Sequence, residues 1–134
     1  MQNSDNPKVS LLVPICNVER YLRECLDSAV AQTLKDIEII CINDGSTDSS
    51  PDIIREYMER DPRVKMIDKA NSGYGDSMNC GLEMARGEYV GILESDDFMF
   101  EDSLKKLVAK ADAEHADVVK GDFYLYWSTP SERR

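Results

Sequence analysis

This chain is short of the groups on which many catalytic sites are built. One histidine, His115, occurs in 134 residues, which leaves little room for Ser-His-Asp machinery or a His-rich metal centre. The four cysteines, Cys16, Cys25, Cys41 and Cys80, match no CxxC or zinc spacing, so they read as small buried side chains in a reducing cytosol. Basic residues are outnumbered 16 to 26, for a net charge of −10, whereas a general nucleic-acid binder would show a basic patch or stripe. The same imbalance disfavours docking on an anionic membrane. No apolar stretch approaches a membrane span. The opening MQNSDNPK is polar and has no signal core, and the expected location is cytoplasmic.

What is present is a soluble globular balance, 42% hydrophobic and 31% charged, at a length that suits one domain. Residues 1–7 read as a flexible N-terminus, 8–127 as the folded unit and 128–134 as a tail. VSLLVP (9–14) is a nearly unbroken apolar run, the mark of a strand buried on both faces. Asn17 is placed to cap a helix whose apolar face is Val18, Tyr21, Leu22, Cys25, Leu26, Ala29 and Val30. IEIICI (37–42) is a second buried strand. NDGSTDSSP follows, with a turn glycine and Pro51 near the start of a helix bearing Ile53, Ile54, Tyr57 and Met58. VKMI (64–67) is a third strand. A glycine-bearing loop then leads into a helix ending near Gly87, read as its C′ residue. EYVGIL is the fourth strand, Leu104, Leu107, Val108 and Ala111 mark a fourth helix, and ADVVKGDF is a fifth strand.

This alternation of strand and helix predicts an α/β fold: a Rossmann-like, doubly wound, mainly parallel sheet with helices on both faces. Ligands bind such sheets outside the carboxyl ends of the strands. Pro14 to Asn17, Asp44, and the triplet Glu94, Asp96 and Asp97 all fall just past strand ends, so three separate segments converge on one edge. Crowded carboxylates repel unless solvated or neutralised. A divalent cation such as Mg²⁺ or Mn²⁺, which prefers oxygen ligands, is one resolution; a solvated acidic first turn of the next helix is the other. Asp44 beside Gly45, Ser46 and Thr47 also reads as a turn or capping aspartate.

Two stretches, VSLLVPICNVERYLRECLDSAVAQTLKDIEIICINDGSTDSSPDII and NSGYGDSMNCGLEMARGEYVGILESDDF, resemble the opening and middle of family 2 glycosyltransferases, which have the GT-A fold. The likeness covers roughly residues 8–110. Its specificity lies in the ordered set of an NDGSTD turn, a GxGxxxNxGLxxAxGEY helix and an ESDD cluster. The wording is closer to bacterial polysaccharide-type members. The resemblance implies transfer of a sugar from a nucleotide-diphosphate donor, usually UDP-linked, to a saccharide or other hydroxyl acceptor. It implies a nucleotide-binding set of Pro14, Ile15, Cys16, Asp44, Gly73, Gly75, Ser95 and Asp96, with Asp44 accepting a hydrogen bond from the base. It also implies Mn²⁺ or Mg²⁺ held by Asp96, Asp97 and Glu94. Asn79 and Gly81 match common positions that read better as helix packing.

Three residues depart from the family pattern. Glu94 replaces an Asp, Cys16 an aromatic residue and Met78 an Arg. Family members also continue past this length, and no general base is identified: Asp117 and Asp122 read as solvated loop acids. The chain therefore resembles the donor-binding half of a transferase. The aromatic run 123–127 is expected to form a strand that pairs with further sequence, or with a second copy, since an open edge is adhesive. A sugar nucleotidyltransferase would show a glycine-rich loop after strand one, where PICNVERYL stands. A signalling receiver would need acids there. A catalytically silent sugar-nucleotide-binding module is the third alternative.

Overall fold

The protein's structure, a computed structural model, describes residues 6–115 in full and two later strands by their backbone pairing. The order is β1 (Val9–Ile15), α1 (Glu19–Val30), β2 (Ile37–Asp44), α2 (Ser50–Arg60), β3 (Val64–Lys69), α3 (Tyr74–Met84), β4 (Tyr89–Ile92), α4 (Ser103–Glu114), β5 (Val118–Lys120) and β6 (Tyr124–Trp127). They form one sheet of order β3-β2-β1-β4-β6-β5, in which β3, β2, β1 and β4 are parallel and β6 runs antiparallel to both β4 and β5. The expected α/β, mainly parallel architecture is observed.

The apolar strands serve two faces because side chains alternate along a strand. Val9, Leu11, Val13 and Ile15 of β1, with Ile37, Ile39 and Cys41 of β2, join the core beneath α1, α2 and α4. Leu12, Ile40 and Ile42 point the other way, to a smaller core with Met78 of α3. Removing each large aliphatic side chain from water contributes about 1.5–3 kcal/mol. Gly81 lets α3 settle on this second face: a Cβ there would stand 3.1 Å from methyls of Leu12 and Ile42, so helix packing explains this glycine.

Several sequence expectations need correcting. Tyr21 and Met58 lie on the predicted apolar stripes but are 47% and 38% exposed; each sits at the stripe's margin. Asn17 does not cap α1. Its backbone is left-handed, φ 53°, and its side-chain oxygen accepts from the N–H groups of Thr47 (2.7 Å) and Asp48 (3.3 Å). The orphan N–H groups at the start of α1 are met instead from that loop and the start of α2, Glu19 N–H by Asp48 Oδ2 and Val18 N–H by Ser50 Oγ. Gly87 is not a helix cap, because α3 closes at Ala85. It is a point of close approach: a Cβ would lie 2.5 Å from the Ser10 nitrogen, and Gly87 N–H donates to Ser10 Oγ at 2.7 Å. Cys25 and Cys41 are buried as expected, while Cys16 is exposed and Cys80 half-buried; all four are free thiols.

The later strands are corrected too. β6 lies between β4 and β5, so the run 124–127 has partners on both sides and offers no free edge. The strand predicted from ADVVKGDF is present as β5, the outer arm of this antiparallel hairpin, separated from β4 by β6. Asp117 and Asp122 lie outside the described residues, and His115 closes α4 as an exposed left-handed residue, φ 51°. Among the described residues no helix is long and apolar enough to cross a membrane.

Candidate functional site

Chain direction in the sheet sets the location of the site. β1, β2 and β3 are laid down toward one side and the chain then crosses back to place β4 on the other side of β1. That reversal opens a crevice at the carboxyl ends of β1 and β4, the place where doubly wound sheets bind ligands. A cavity of about 260 Å³ lies there, lined by Pro14, Ile15 and Cys16 after β1, Asp44 after β2, Tyr74 and Ser77 of α3, and Glu94, Ser95 and Asp96 after β4. Seven residues singled out in the sequence thus meet at one site. Gly73, Gly75 and Asp97 flank it without lining it. A larger open concavity of about 810 Å³ lies at the amino ends of the strands beside Lys8 and Arg86. It contains none of the expected residues, and the Lys8 amine there is already paired with Glu88 and Asp112.

Asp44 anchors the β2 side of the crevice. It is 6% exposed, and its carboxylate accepts from the Lys69 amine, from Ser72 N–H at 2.8 Å and from Gly73 N–H at 3.1 Å. The Lys69 hydrogen bond, joined by these two N–H groups, holds the Asp44 carboxyl below the ordinary carboxylate range. The Asp44 carbonyl accepts from the Asn71 side chain at 3.0 Å, and the same amide nitrogen reaches Cys16 Sγ at 3.6 Å. The loop from Asn71 to Gly73 is therefore clasped by the ends of β1 and β2. Gly45, with φ +68° and space for a Cβ only 2.6 Å from the Asn71 nitrogen, is the glycine this closeness requires. Gly73 also has positive φ, +101°, and stands just before α3.

The acidic side is a tight turn. Leu93 N–H still bonds Leu12 C=O at 2.9 Å, continuing the β1–β4 ladder, and Asp97 N–H then donates to Glu94 C=O at 3.0 Å. Glu94, Asp96 and Asp97 are exposed on this turn, whereas Ser95 is buried. Tyr74 O–H donates to Glu94 Oε2 at 2.6 Å, tying the glutamate to α3 across the cavity mouth. The segment beyond is moored to α1. Gln32, fully buried, donates to Phe100 C=O at 2.7 Å and accepts from Leu104 N–H at 3.0 Å; Met99 N–H donates to Ser28 Oγ at 3.0 Å. Cys25 lies beneath the turn. Burial pushes its thiol up to about 12, with the carboxylates of Asp97, Asp96 and Glu94 adding to the effect.

These donors suit a hard divalent cation. Asp96 lines the cavity and Asp97 follows it, exposed, on the same turn, and Mg²⁺ ordinarily takes one or two protein carboxylates and fills the rest of its shell from phosphate and water. Among the described residues no group of three His, Cys, Asp or Glu side chains is gathered as a cation site on its own, so ligand oxygens would have to complete it.

Lys69, Tyr74, Ser77 and Gln32 were missed in the sequence. Lys69 ends β3 in register with Asp44, a pairing that only the sheet creates. Gln32 had no signal, since a lone amide just past the end of a helix looks solvated until α4 is placed against it.

The family model for glycosyl transferase family 2 matches residues 10–134. Among curated proteins, the chain is 42% identical over 118 residues to the uncharacterized glycosyltransferase EpsJ of Bacillus subtilis, covering 88% of this chain and 34% of that protein. It is 42% identical over 119 residues to the glycosyltransferase GlyA of Streptococcus pneumoniae, covering 89% of this chain and 17% of GlyA. Thus it spans about a third of EpsJ and about a sixth of GlyA. Among solved structures, S. aureus TarS 1-349 in complex with UDP-GlcNAc superposes with TM-score 0.74 at 32% identity, over 83% of this chain and 33% of TarS 1-349. The mannosyltransferase PcManGT of Pyrobaculum calidifontis, at 20% identity and TM-score 0.74, shares the fold. With the fold, the crevice and these likenesses in agreement, this chain belongs to glycosyl transferase family 2.

Proposed function

We propose that this chain is the donor-binding part, residues 8–127, of a glycosyltransferase that moves a sugar from a nucleotide-diphosphate donor, UDP-linked, to a saccharide or other hydroxyl acceptor. The observation that carries this reading is the shared cavity of Asp44 and Asp96, which come from opposite sides of β1. The 32% identity with a protein solved with UDP-GlcNAc supports the choice of UDP. Pro14, Ile15 and Cys16 line the base, and the Asn71–Gly73 loop closes over it. A carboxylate has about four acceptor positions; the three donors on Asp44 leave about one for a base N–H. Gly73 and Gly75 keep the start of α3 free of side-chain bulk near the nucleotide.

Ser95 and Asp96 face the diphosphate. Asp96 and Asp97 would hold Mn²⁺ or Mg²⁺, with Glu94 oriented beside them by Tyr74. When bound, the cation supplies Lewis acidity that neutralises charge developing on the departing diphosphate. The chain's own residues orient the donor, and the buried Leu93 and Met99 on either side of the acidic turn keep its base in the apolar core. Proton removal from the acceptor hydroxyl is assigned to no residue here. Four free thiols suit a reducing compartment, and we place the donor site in the cytoplasm.

Calorimetric titration with UDP, with and without Mn²⁺, tests the reading. Metal-dependent binding that Asp96→Ala or Asp97→Ala abolishes is the expected result. Failure of every nucleoside diphosphate to bind, with metal present, would overturn it.

A further inference from the structure

Ser77 is 1% exposed, yet its Oγ has no hydrogen-bond partner, and it is the buried side-chain N or O atom of which this is true among the described residues. Native interiors seldom leave a hydroxyl in this state, because its lost hydration is not repaid. A helical serine can satisfy itself on the carbonyl one turn back, and that carbonyl, Gly73 C=O, receives Ser77 N–H at 3.1 Å; the Ser77 hydroxyl makes no such bond. Ser77 is among the residues lining the 260 Å³ cavity. Adjacent Met78 turns into the apolar core with Leu12 and Ile42, which fixes the rotation of α3 and leaves Ser77 on the side facing the crevice.

We propose that Ser77 is a ligand-contacting residue whose hydroxyl hydrogen-bonds the nucleoside portion of the bound donor. This inference rests on the donor-binding reading above. The nucleoside is favoured over the diphosphate by position. Ser77 stands one helical turn beyond Gly73, whose N–H bonds Asp44, and residues four apart lie on one face. The acidic turn is reached from α3 by Tyr74, one position round the helix from Gly73, where anionic phosphate would be met through a cation. A bound nucleoside, rich in carbonyl and hydroxyl groups, supplies the partner that the protein does not.

The test compares the 134-residue chain with Ser77→Ala and Ser77→Thr, using UDP, uridine 5′-monophosphate and inorganic pyrophosphate as probes with Mn²⁺ present. Ser77→Ala should bind UDP and the monophosphate about tenfold more weakly, the equivalent of one lost hydrogen bond, and bind pyrophosphate unchanged. Its unliganded melting temperature should stay level or rise, since an unsatisfied hydroxyl has been removed; a merely structural serine would show the opposite. Ser77→Thr, which keeps the hydroxyl, should recover part of the affinity. Unchanged UDP affinity in Ser77→Ala, or an equal loss for pyrophosphate, would overturn the assignment to the nucleoside while leaving donor binding intact. Absence of UDP binding by the unsubstituted chain would overturn the donor reading, and this inference with it.

Discussion

Asp44 and Lys69 close neighbouring parallel strands in register, and the lysine amine donates to the aspartate carboxylate at the point where the chain turns into the crevice. The same carboxylate receives two backbone N–H groups of the following loop. One side chain thus organises three segments. Asp44→Ala should release the loop: UDP affinity should fall by tenfold or more, and the amide protons of Ser72 and Gly73 should exchange faster, as followed by hydrogen-exchange mass spectrometry.

The same pair sets a pH dependence. The Asp44 carboxyl is lowered in the folded protein, through Lys69 first and the two N–H groups after it. A lowered carboxyl contributes stability that is complete above its unfolded pKa, about 3.9, and that is lost as pH falls through the lower folded value. The melting-temperature gap between the unsubstituted chain and Asp44→Asn should be constant from about pH 5 to 8 and narrow below about pH 4. A gap that widens on acidification would contradict this sign.

Gly45 is held between a left-handed backbone and the Asn71 nitrogen. Gly45→Ala adds both αL strain and a contact no Cβ tolerates, and should cost about 1–3 kcal/mol in urea unfolding. The Asn71 loop must shift to admit the methyl, so UDP binding should weaken more than the stability change alone implies.

Gln32 links the end of α1 to the backbone beyond the acidic turn by a buried hydrogen bond from Leu104 N–H and a part-buried one to Phe100 C=O, with a third to Ser28 C=O at 3.1 Å. Gln32→Ala leaves the buried Leu104 N–H without its acceptor and should destabilise the fold by about 1–3 kcal/mol. Metal-dependent UDP binding should drop as well, because Asp96 and Asp97 depend on that mooring for their position.

The thiols offer a chemical check. Cys16 is exposed at the cavity rim, whereas burial first, and the neighbouring carboxylates second, push Cys25 up to about 12. Iodoacetamide at neutral pH should label Cys16 rapidly and leave Cys25 and Cys41 intact, as read by peptide mass spectrometry. UDP should protect Cys16.

Periodicity along the chain carried most of the fold. The apolar runs before Asn17 and Asp44 and the stripe Leu22, Cys25, Leu26 and Ala29 could be read directly, because burial on a strand or helix repeats at its geometric period. Marginal positions such as Tyr21 misled, since a stripe's edge meets solvent or protein according to what lies opposite. Asn17 and Gly87 misled for another reason: their local chemistry suits a cap, but tertiary neighbours claimed them, the 47–48 loop for Asn17 and Ser10 for Gly87. Lys69, Ser77 and Gln32 acquire their roles only from partners far away in the chain, and no local pattern announces such partners.

By itself the sequence determined the kinds of element, their order and the end of the sheet at which Asp44, Glu94, Asp96 and Asp97 would lie, because strand direction follows from the β–α alternation and loops inherit the strand end they leave. Only the tertiary structure decided which of those groups are free for a ligand. Hydrogen-bond capacity is finite and is shared in three dimensions: Lys69, Ser72 and Gly73 occupy most of Asp44, Tyr74 holds Glu94, and Ser77 is left unpaired.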